Sequence, residues 1–155
     1  MKKLSSIKGF TLIELMVVIV ILGILAAVIA PRVPQFVNKA KEGKTKGNLG
    51  TLRSALNIYY SDNEGSYPTD NLASMTVGSK YLKEMPQMET AAFPGITNTH
   101  KHGPTNTVTK ADGATDLSGD NGGWYYQNVN TQSDWGSIWV NCSGVDSASR
   151  QWTSY

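Results

Sequence analysis

Residues 8–31 read KGFTLIELMVVIVILGILAAVIAP, and this stretch decides the fold of the chain. From Phe10 to Ala30 the run is apolar except at Thr11, Glu14 and Gly23. About 20 apolar residues, each adding about 1.5 Å of helical rise, match the roughly 30 Å hydrocarbon core of a bilayer. The stretch therefore predicts a helix that is long enough to cross a membrane.

The flanks of this helix predict its orientation. Lys2, Lys3 and Lys8 precede it, and basic residues favour the cytoplasmic side, so we expect the N-terminus inside and the remainder exported. A secretory signal peptide is the alternative, because the alanines up to Ala30 offer an A-x-A-like cleavage site. Against it, Pro31 would directly follow the scissile bond, and the run exceeds the roughly 7–15 residues of such peptides. A retained anchor is the favoured interpretation.

Glu14 is the unusual residue of the run, because a carboxylate costs about 2.5–3.5 kcal/mol at mid-bilayer and less near the interface. A cut between Gly9 and Phe10 would create an α-amino group four residues before Glu14, one helical turn away. That cation could pair with Glu14 of the same subunit or of a neighbour. The alternative is a glutamate that reaches the headgroups unaided.

The segment Lys8-Gly9-Phe10-Thr11-Leu12-Ile13-Glu14, followed by the long apolar run, resembles the class III leader of type IV prepilins and type II secretion pseudopilins. The resemblance implies that a membrane-embedded aspartyl prepilin peptidase cuts after Gly9 and N-methylates Phe10. It implies that Glu14 neutralises the N-terminus of an adjacent subunit and sets the axial register. It also implies that the helix bends near Pro31 in the assembled filament.

The resemblance further implies a structural function and a set of partners. The chain is expected to polymerise into a helical type IV pilus or type II secretion pseudopilus, a homo-oligomer that leaves the bacterial inner membrane for the periplasm or cell surface. Membrane lipid, prepilin peptidase, an inner-membrane assembly platform and minor pilins or pseudopilins are the implied partners. The alternative from a different class is a single-pass anchored periplasmic binding module, which would have no need of cleavage before its apolar run.

Three parts are predicted along the chain: a leader over residues 1–9, a transmembrane assembly helix over 10–30, and a periplasmic or extracellular globular domain over 31–155. The length allows only one small domain beside the anchor. The single cysteine, Cys142, excludes an internal disulfide, and we interpret it as a half-buried strand residue.

Helical periodicity continues beyond the anchor to about Tyr60, in two apolar stripes that place an amphipathic half after the transmembrane half. The first stripe comprises Val33, Phe36, Val37 and Ala40, and the second comprises Leu49, Leu52, Leu56 and Tyr59. Between them, a charged stretch is interpreted as a solvated face: Lys39, Lys41, Glu42, Lys44 and Lys46. Pro31, Pro34 and several glycines are expected to kink or soften the helix.

The C-terminal part predicts a small antiparallel β-sheet. Residues 124–129 and 135–142 are rich in aromatic and β-branched residues and predict a hairpin whose Ile138, Val140 and Cys142 share the face toward the helix. Trp152 and Tyr155 are expected to fold back onto the sheet. Residues 90–123 are polar and rich in glycine, which predicts a long loop. The predicted fold class is α+β, a long N-terminal helix packed on this sheet.

No cofactor is predicted from the sequence, although one loop offers candidate ligands for Ca²⁺. Asp112, Asp116 and Asp120 lie in a glycine-containing loop and are weak candidates for Ca²⁺, since their spacing is not that of an EF-hand. His100 and His102 would need further ligands to bind zinc and are interpreted as loop residues.

The remaining function classes have little support in the sequence. Nucleophile elbows, phosphate loops and catalytic His-Cys motifs do not appear, so an enzyme is not predicted. The basic residues are scattered, and no nucleic-acid footprint emerges.

Overall fold

A computed structural model describes residues 9–114 and 119–155 of the chain. It divides into two compact units, Met1–Phe36 and Val37–Tyr155. The predicted leader, apart from Gly9, and the calcium candidate Asp116 lie outside the described residues. The α+β class is confirmed, with a long N-terminal helical segment and a small C-terminal sheet.

Helix α1 spans Leu12–Ile29, and a 3₁₀ turn over Ala30–Arg32 follows it. None of the residues of α1 is buried. The proline at Pro31 lacks an amide hydrogen, so it cannot continue the α-helical hydrogen-bond ladder, and the tighter turn occurs at this point. The sequence-based expectation of an irregularity at Pro31 is confirmed, whereas Gly43, Gly47 and Gly50 lie within a regular α-helix.

Helix α2 spans Val33–Asp62 and buries only its second apolar stripe. Leu49, Leu52 and Leu56 are buried, as predicted. The first stripe is exposed throughout, with Phe36 at 64%. Its helical spacing was a correct indication of an apolar face, but in the described structure nothing covers that face.

Helix α2 ends in a left-handed turn. Glu64 and Gly65 have φ angles of 52° and 82°, and the Gly65 amide donates to the Tyr60 carbonyl at 3.0 Å. Glycine tolerates this conformation because it has no Cβ. The left-handed residues are Glu64 and Gly65, while Asn63 instead caps the helix by donating its side-chain amide to the Tyr59 carbonyl at 2.8 Å.

Three short strands form the sheet in the order β1 (Val108–Lys110), β2 (Trp124–Tyr126) and β3 (Ile138–Val140). Strands β2 and β3 are antiparallel, with Trp124 opposite Val140, so the predicted hairpin is confirmed with shorter strands. Strand β1 pairs with β2 in parallel, which makes the sheet mixed and corrects the purely antiparallel prediction. Residues 111–123 connect them, about the dozen residues that a parallel crossover requires.

The core lies between α2, the sheet and the loops that cover them. Leu52, Trp124, Tyr126 and Trp152 are fully buried or nearly so. Trp152 belongs to a C-terminal 3₁₀ turn over Trp152–Ser154 that contacts β3, which confirms the predicted fold-back. The remaining 3₁₀ turns among the described residues span Ala73–Met75 and Val77–Ser79.

The predicted strand face is confirmed, and the opposite face is also partly buried. Ile138, Val140 and Cys142 are buried, with Cys142 completely enclosed and not half-buried as predicted. On the opposite face, Asn141 is also buried, at 2% exposure. Its side-chain amide donates to Thr109 of β1 at 3.4 Å, so the unpredicted strand β1 accounts for its burial.

Candidate functional site

The predicted processing residues precede α1 and are accessible. Gly9 and Phe10 are exposed, with Phe10 at 87%. A peptidase needs an extended, uncovered substrate, and both residues lie outside the helix. The geometry therefore fits the proposed cleavage position.

Glu14 forms a capping box with Thr11, the N-cap residue of α1. Oε2 of Glu14 accepts hydrogen bonds from the Thr11 amide at 2.8 Å and from its hydroxyl at 2.7 Å. In return, the Glu14 amide donates to the Thr11 hydroxyl at 3.3 Å. The Thr-x-x-Glu spacing is the sequence signature of this cap, and sequence reasoning missed it.

The side chains of α1 present aliphatic surface on all sides. Leu12, Ile19 and Ile24 are 78%, 59% and 62% exposed. The helix is long and apolar enough to cross a membrane. A helix that is apolar all round requires burial in lipid or in other protein chains, and unit Met1–Phe36 supplies none of this cover by itself.

The predicted calcium ligands have different partners. Asp112 accepts a hydrogen bond from Asn128 and pairs with Lys110 at 3.3 Å, contacts that hold the pKa of Asp112 below its ordinary value. Asp120 instead contacts His100 and His102. The structure thus does not bring Asp112 and Asp120 to shared partners, and their calcium role stays a prediction.

His100, His102, Asp120 and Cys142 lie together, a cluster that sequence reasoning missed. Burial favours the neutral form of Asp120, but contacts with His100, the Ser143 amide and His102 outweigh it and lower the pKa of Asp120. Burial raises the pKa of the Cys142 thiol to about 11. A buried, protonated thiol is a poor nucleophile, which argues against Cys-His catalysis here.

A second polar cluster joins α2 to the C-terminal segment. Nζ of Lys46 lies 2.5 Å from Oε1 of Glu42 and 2.7 Å from Oδ2 of Asp146, and the Tyr155 hydroxyl also donates to Asp146. Burial opposes both charges, but these contacts raise the pKa of Lys46 and lower the pKa of Asp146. The solvated-face prediction is therefore wrong for Glu42 and Lys46. Lys46 pairs with Asp146, a hundred residues away, and Glu42 accepts from Lys46 and from the Ser147 amide at 3.1 Å.

Comparisons with known proteins connect these features to a family. Residues 4–30 match the family described as the prokaryotic N-terminal methylation motif. The chain is 31% identical over 132 residues to type II secretion system core protein G of Dickeya chrysanthemi, a match covering 76% of this chain and 86% of that protein. The core protein G of Klebsiella michiganensis is 31% identical over 135 residues, covering 77% and 94%.

Fimbrial protein EcpC of Eikenella corrodens is 42% identical over 81 residues, which covers 50% of this chain and 52% of that protein. No solved structure matches the chain. An exposed apolar helix with a methylation motif, followed by a small α+β unit, defines a structural subunit and not an enzyme. The chain belongs to the family of type IV pilins and type II secretion pseudopilins.

Proposed function

We propose that this chain is a filament subunit that is cut after Gly9, N-methylated on Phe10 and polymerised through α1. One observation carries the proposal: every described residue of α1 is exposed, while Val37–Tyr155 forms a compact unit with its own core. The apolar surface of α1 therefore serves an environment outside the subunit. Lipid covers it before assembly, and helices of neighbouring subunits cover it afterwards.

The membrane stage follows from charge and length. The lysines before α1 remain cytoplasmic, the helix crosses the inner membrane, and the globular unit faces the periplasm. Cleavage after Gly9 removes these lysines and creates a cation at Phe10. Pro31 ends α1 where the membrane-spanning run ends.

Glu14 would then fix the register between subunits. Both hydrogen bonds from Thr11 go to Oε2, so in the part of the chain that the structure describes Oε1 is left for a partner from outside. The Phe10 amine of a neighbouring subunit is that partner. An uncompensated ammonium among packed apolar helices is costly, so the pair favours one axial offset over others.

The two core protein G matches given above favour a secretion pseudopilus over a surface fimbria. They extend over about three quarters of this chain, whereas the match to the fimbrial protein extends over half of it. The partners would be prepilin peptidase, an inner-membrane assembly platform and minor pseudopilins. Loss of the subunit should then abolish export of secreted proteins while surface pili persist.

Mass spectrometry of the membrane-extracted protein tests the processing step. We expect a mature chain that begins at Phe10 and carries one additional methyl group. A chain that begins at Met1 supports the alternative of an anchored binding module, and one that begins at Pro31 supports a secretory signal peptide. Either result contradicts the proposed cleavage.

Two matched substitutions separate the charge of Glu14 from its capping role. Glu14→Gln removes the charge but keeps a side chain that suits the capping box, whereas Thr11→Val removes the cap and keeps the charge. We expect Glu14→Gln to be cleaved and inserted normally but to yield few filaments. Thr11→Val should still assemble, with a cost of about 1 kcal/mol in helix stability.

The measurement is sheared filament relative to total membrane-bound subunit, with cleavage checked in each variant. Normal filaments from cleaved Glu14→Gln would refute the charge-pair mechanism. Loss of filaments in Thr11→Val alone would assign Glu14 a capping role only.

A further inference from the structure

The cluster of His100, His102, Asp120 and Cys142 brings together three separate segments of the chain. Each residue offers one ligand atom, and these atoms all lie within 4.8 Å of one another. Nδ1 of His100 lies 2.7 Å from Oδ2 of Asp120, and Nε2 of His102 lies 3.1 Å from Oδ1. Two imidazoles, a carboxylate and a thiol thus converge on one point.

The backbone around the cluster is held by hydrogen bonds. The buried hydroxyl of Thr90 donates to the His100 carbonyl at 2.8 Å and accepts from the His102 amide at 3.0 Å. The Ser143 amide donates to Oδ1 of Asp120 at 3.1 Å, and the Val145 amide donates to the Asn98 carbonyl at 2.9 Å. These bonds hold the ligand-bearing segments in place before any ion binds.

Two glycines permit the close approach of the histidines. A Cβ at Gly144 would lie 3.0 Å from Cγ of His100, and a Cβ at Gly122 would lie 3.2 Å from Cβ of His102. Gly122 also has a φ of +74°, which disfavours any residue with a side chain. The cluster therefore depends on backbone positions that larger residues would disrupt.

One nitrogen of the cluster lacks a hydrogen bond. Nδ1 of His100 is buried, and its short contact with Asp120 does not have hydrogen-bond alignment, so it has no hydrogen-bond partner in the described structure. A metal ion in the cluster would satisfy this nitrogen.

The ligand atoms of the cluster, two nitrogens, one sulfur and one carboxylate oxygen, indicate which ion would bind. Imidazole, thiolate and carboxylate together are typical of tetrahedral Zn²⁺, whose bonds of about 2.0–2.3 Å place ligand atoms roughly 3.3–3.8 Å apart. Small side-chain rotations would bring atoms within 4.8 Å to that spacing. Ca²⁺ requires six to eight oxygen ligands and would gain nothing from the sulfur or the imidazoles.

We infer that His100, His102, Asp120 and Cys142 form a structural Zn²⁺ site that ties the 90–105 loop and the loop containing Asp120 to the end of β3. Four protein ligands close the coordination shell, which is the pattern of structural and not catalytic zinc. Zn²⁺ would displace the thiol proton of Cys142 into solvent. The site stabilises a region in which the chain's single cysteine cannot form an internal disulfide. This inference is independent of filament assembly.

The test uses the full chain in detergent micelles, without a polyhistidine tag and stripped of metal with a chelator. Zn²⁺ is titrated in competition with a chromophoric chelator, and we expect one ion per chain and a higher unfolding midpoint. Co²⁺ should give the strong visible bands of a tetrahedral site and a thiolate charge-transfer band. The chain has only two histidines and one cysteine, so this spectrum reports on the cluster.

Two ligand variants and one control make the test specific. His102→Gln and Cys142→Ala should each weaken zinc binding at least about 100-fold, since even loss of an outer-shell partner costs about 10–100-fold. Asp112→Asn, a loop carboxylate outside the cluster, should bind like the parent chain. His102 is partly exposed, so its substitution keeps the test valid if Cys142→Ala does not fold.

Several outcomes would overturn the inference. These are an absence of one-to-one zinc binding, a Co²⁺ spectrum without a thiolate band, and unchanged affinity in His102→Gln. Stabilisation by Ca²⁺ that survives Cys142→Ala and is lost in Asp112→Asn would instead assign an oxygen-liganded ion to the loop.

Discussion

Helices α1 and α2 both carry aliphatic residues, but α1 exposes all of its own whereas α2 buries one stripe. Leu22 of α1 is 58% exposed, whereas Leu52 of α2 is fully buried. The same hydrophobic driving force acts on both, at about 25 cal/mol per Å² of apolar surface. The difference shows that α2 finds its cover within its own chain, while α1 needs lipid or other subunits.

The boundary between these two behaviours lies within α2. Phe36 and Val37 are exposed at 64% and 48%, and the buried residues of the helix begin at Glu42. The exposed first stripe follows α1 along the sequence over residues 33–40. In the proposed filament, this stripe would be covered by neighbouring subunits.

The largest expected effect comes from removing the exposed unit altogether. A chain that begins at Val37 loses no buried residue of α2, so we expect it to be soluble without detergent, monomeric and cooperatively folded. Size-exclusion chromatography and thermal unfolding measure this. Aggregation or a non-cooperative transition would show that the core of Val37–Tyr155 depends on the preceding helix.

A matched pair of leucine substitutions comes next. Leu52→Ala should lower the free energy of unfolding of the globular unit by about 3 kcal/mol, because it leaves a cavity in the core. Leu22→Ala, which replaces an exposed leucine, should change that free energy by less than about 0.5 kcal/mol. All four tryptophans lie in Val37–Tyr155, so tryptophan fluorescence of the full chain in urea and detergent reports this unit alone. If both substitutions lowered the free energy of unfolding equally, the contrast between the buried leucines of α2 and the exposed leucines of α1 would be contradicted.

The next substitution, Asp146→Asn, should lower the free energy of unfolding by about 2–3 kcal/mol. The loss is smaller than for a fully buried ion pair, because the Lys46 side chain is 26% exposed and keeps Glu42 as a partner. The folded pKa of Asp146 is lowered, so its contribution is fully present above the unfolded pKa of about 3.9 and is lost as pH falls below it. The difference in free energy of unfolding between the parent chain and Asp146→Asn should therefore shrink in acid. Urea unfolding at neutral and acidic pH measures this, and a difference that is the same at both pH values would contradict it.

The folded pKa of Lys46 is raised by Asp146 and Glu42, against the opposing effect of burial. Its contribution is fully present below the unfolded pKa of about 10.4 and is lost as pH rises through the folded pKa. The ion pairs of Lys46 with Glu42 and Asp146 should therefore weaken in strong alkali as well as in acid. Unfolding midpoints of Lys46→Met against pH would converge with those of the parent chain at the alkaline end.

The smallest expected effect belongs to an exposed ion pair near the exit of α2. Lys80 and Asp62 lie 3.0 Å apart with side chains 62% and 43% exposed. Exposed pairs of this kind contribute little to stability because water screens them, so we expect Lys80→Ala to leave the unfolding midpoint nearly unchanged. A loss as large as that of Asp146→Asn would show that burial does not govern the strength of these pairs.

Sequence reasoning was most successful where the information is local. The length of the apolar run predicts α1, the spacing of Leu49, Leu52 and Leu56 predicts the buried face of α2, and aromatic and β-branched residues predict the β2–β3 hairpin. Each pattern extends over many residues, so a single atypical residue does not change the prediction. The Thr11–Glu14 capping box was also readable in the sequence, because its two residues are three positions apart.

Sequence reasoning failed where remote segments meet. Val108 and Thr109 are β-branched and favour a strand, but the polar, glycine-rich stretch around them predicted a loop. The segment becomes β1 because Trp124–Tyr126 offers an edge for parallel pairing. Lys46 belongs to a charged stretch that is typical of solvated helix faces, and Asp146 draws it inward. Neither partner can be inferred from the neighbours of these residues in the chain.

The sequence by itself determined the apolar helix α1, the N-terminal methylation motif, the family resemblance and the α+β class, because these depend on periodicity and on short contiguous segments. Tertiary structure alone decided that His100, His102, Asp120 and Cys142 lie together and that Lys46 pairs with both Glu42 and Asp146. Ligand sets and buried ion pairs depend on distances of a few ångströms between residues that loops of tens of residues separate. The path of those loops follows from packing of the whole core, and no local pattern encodes it.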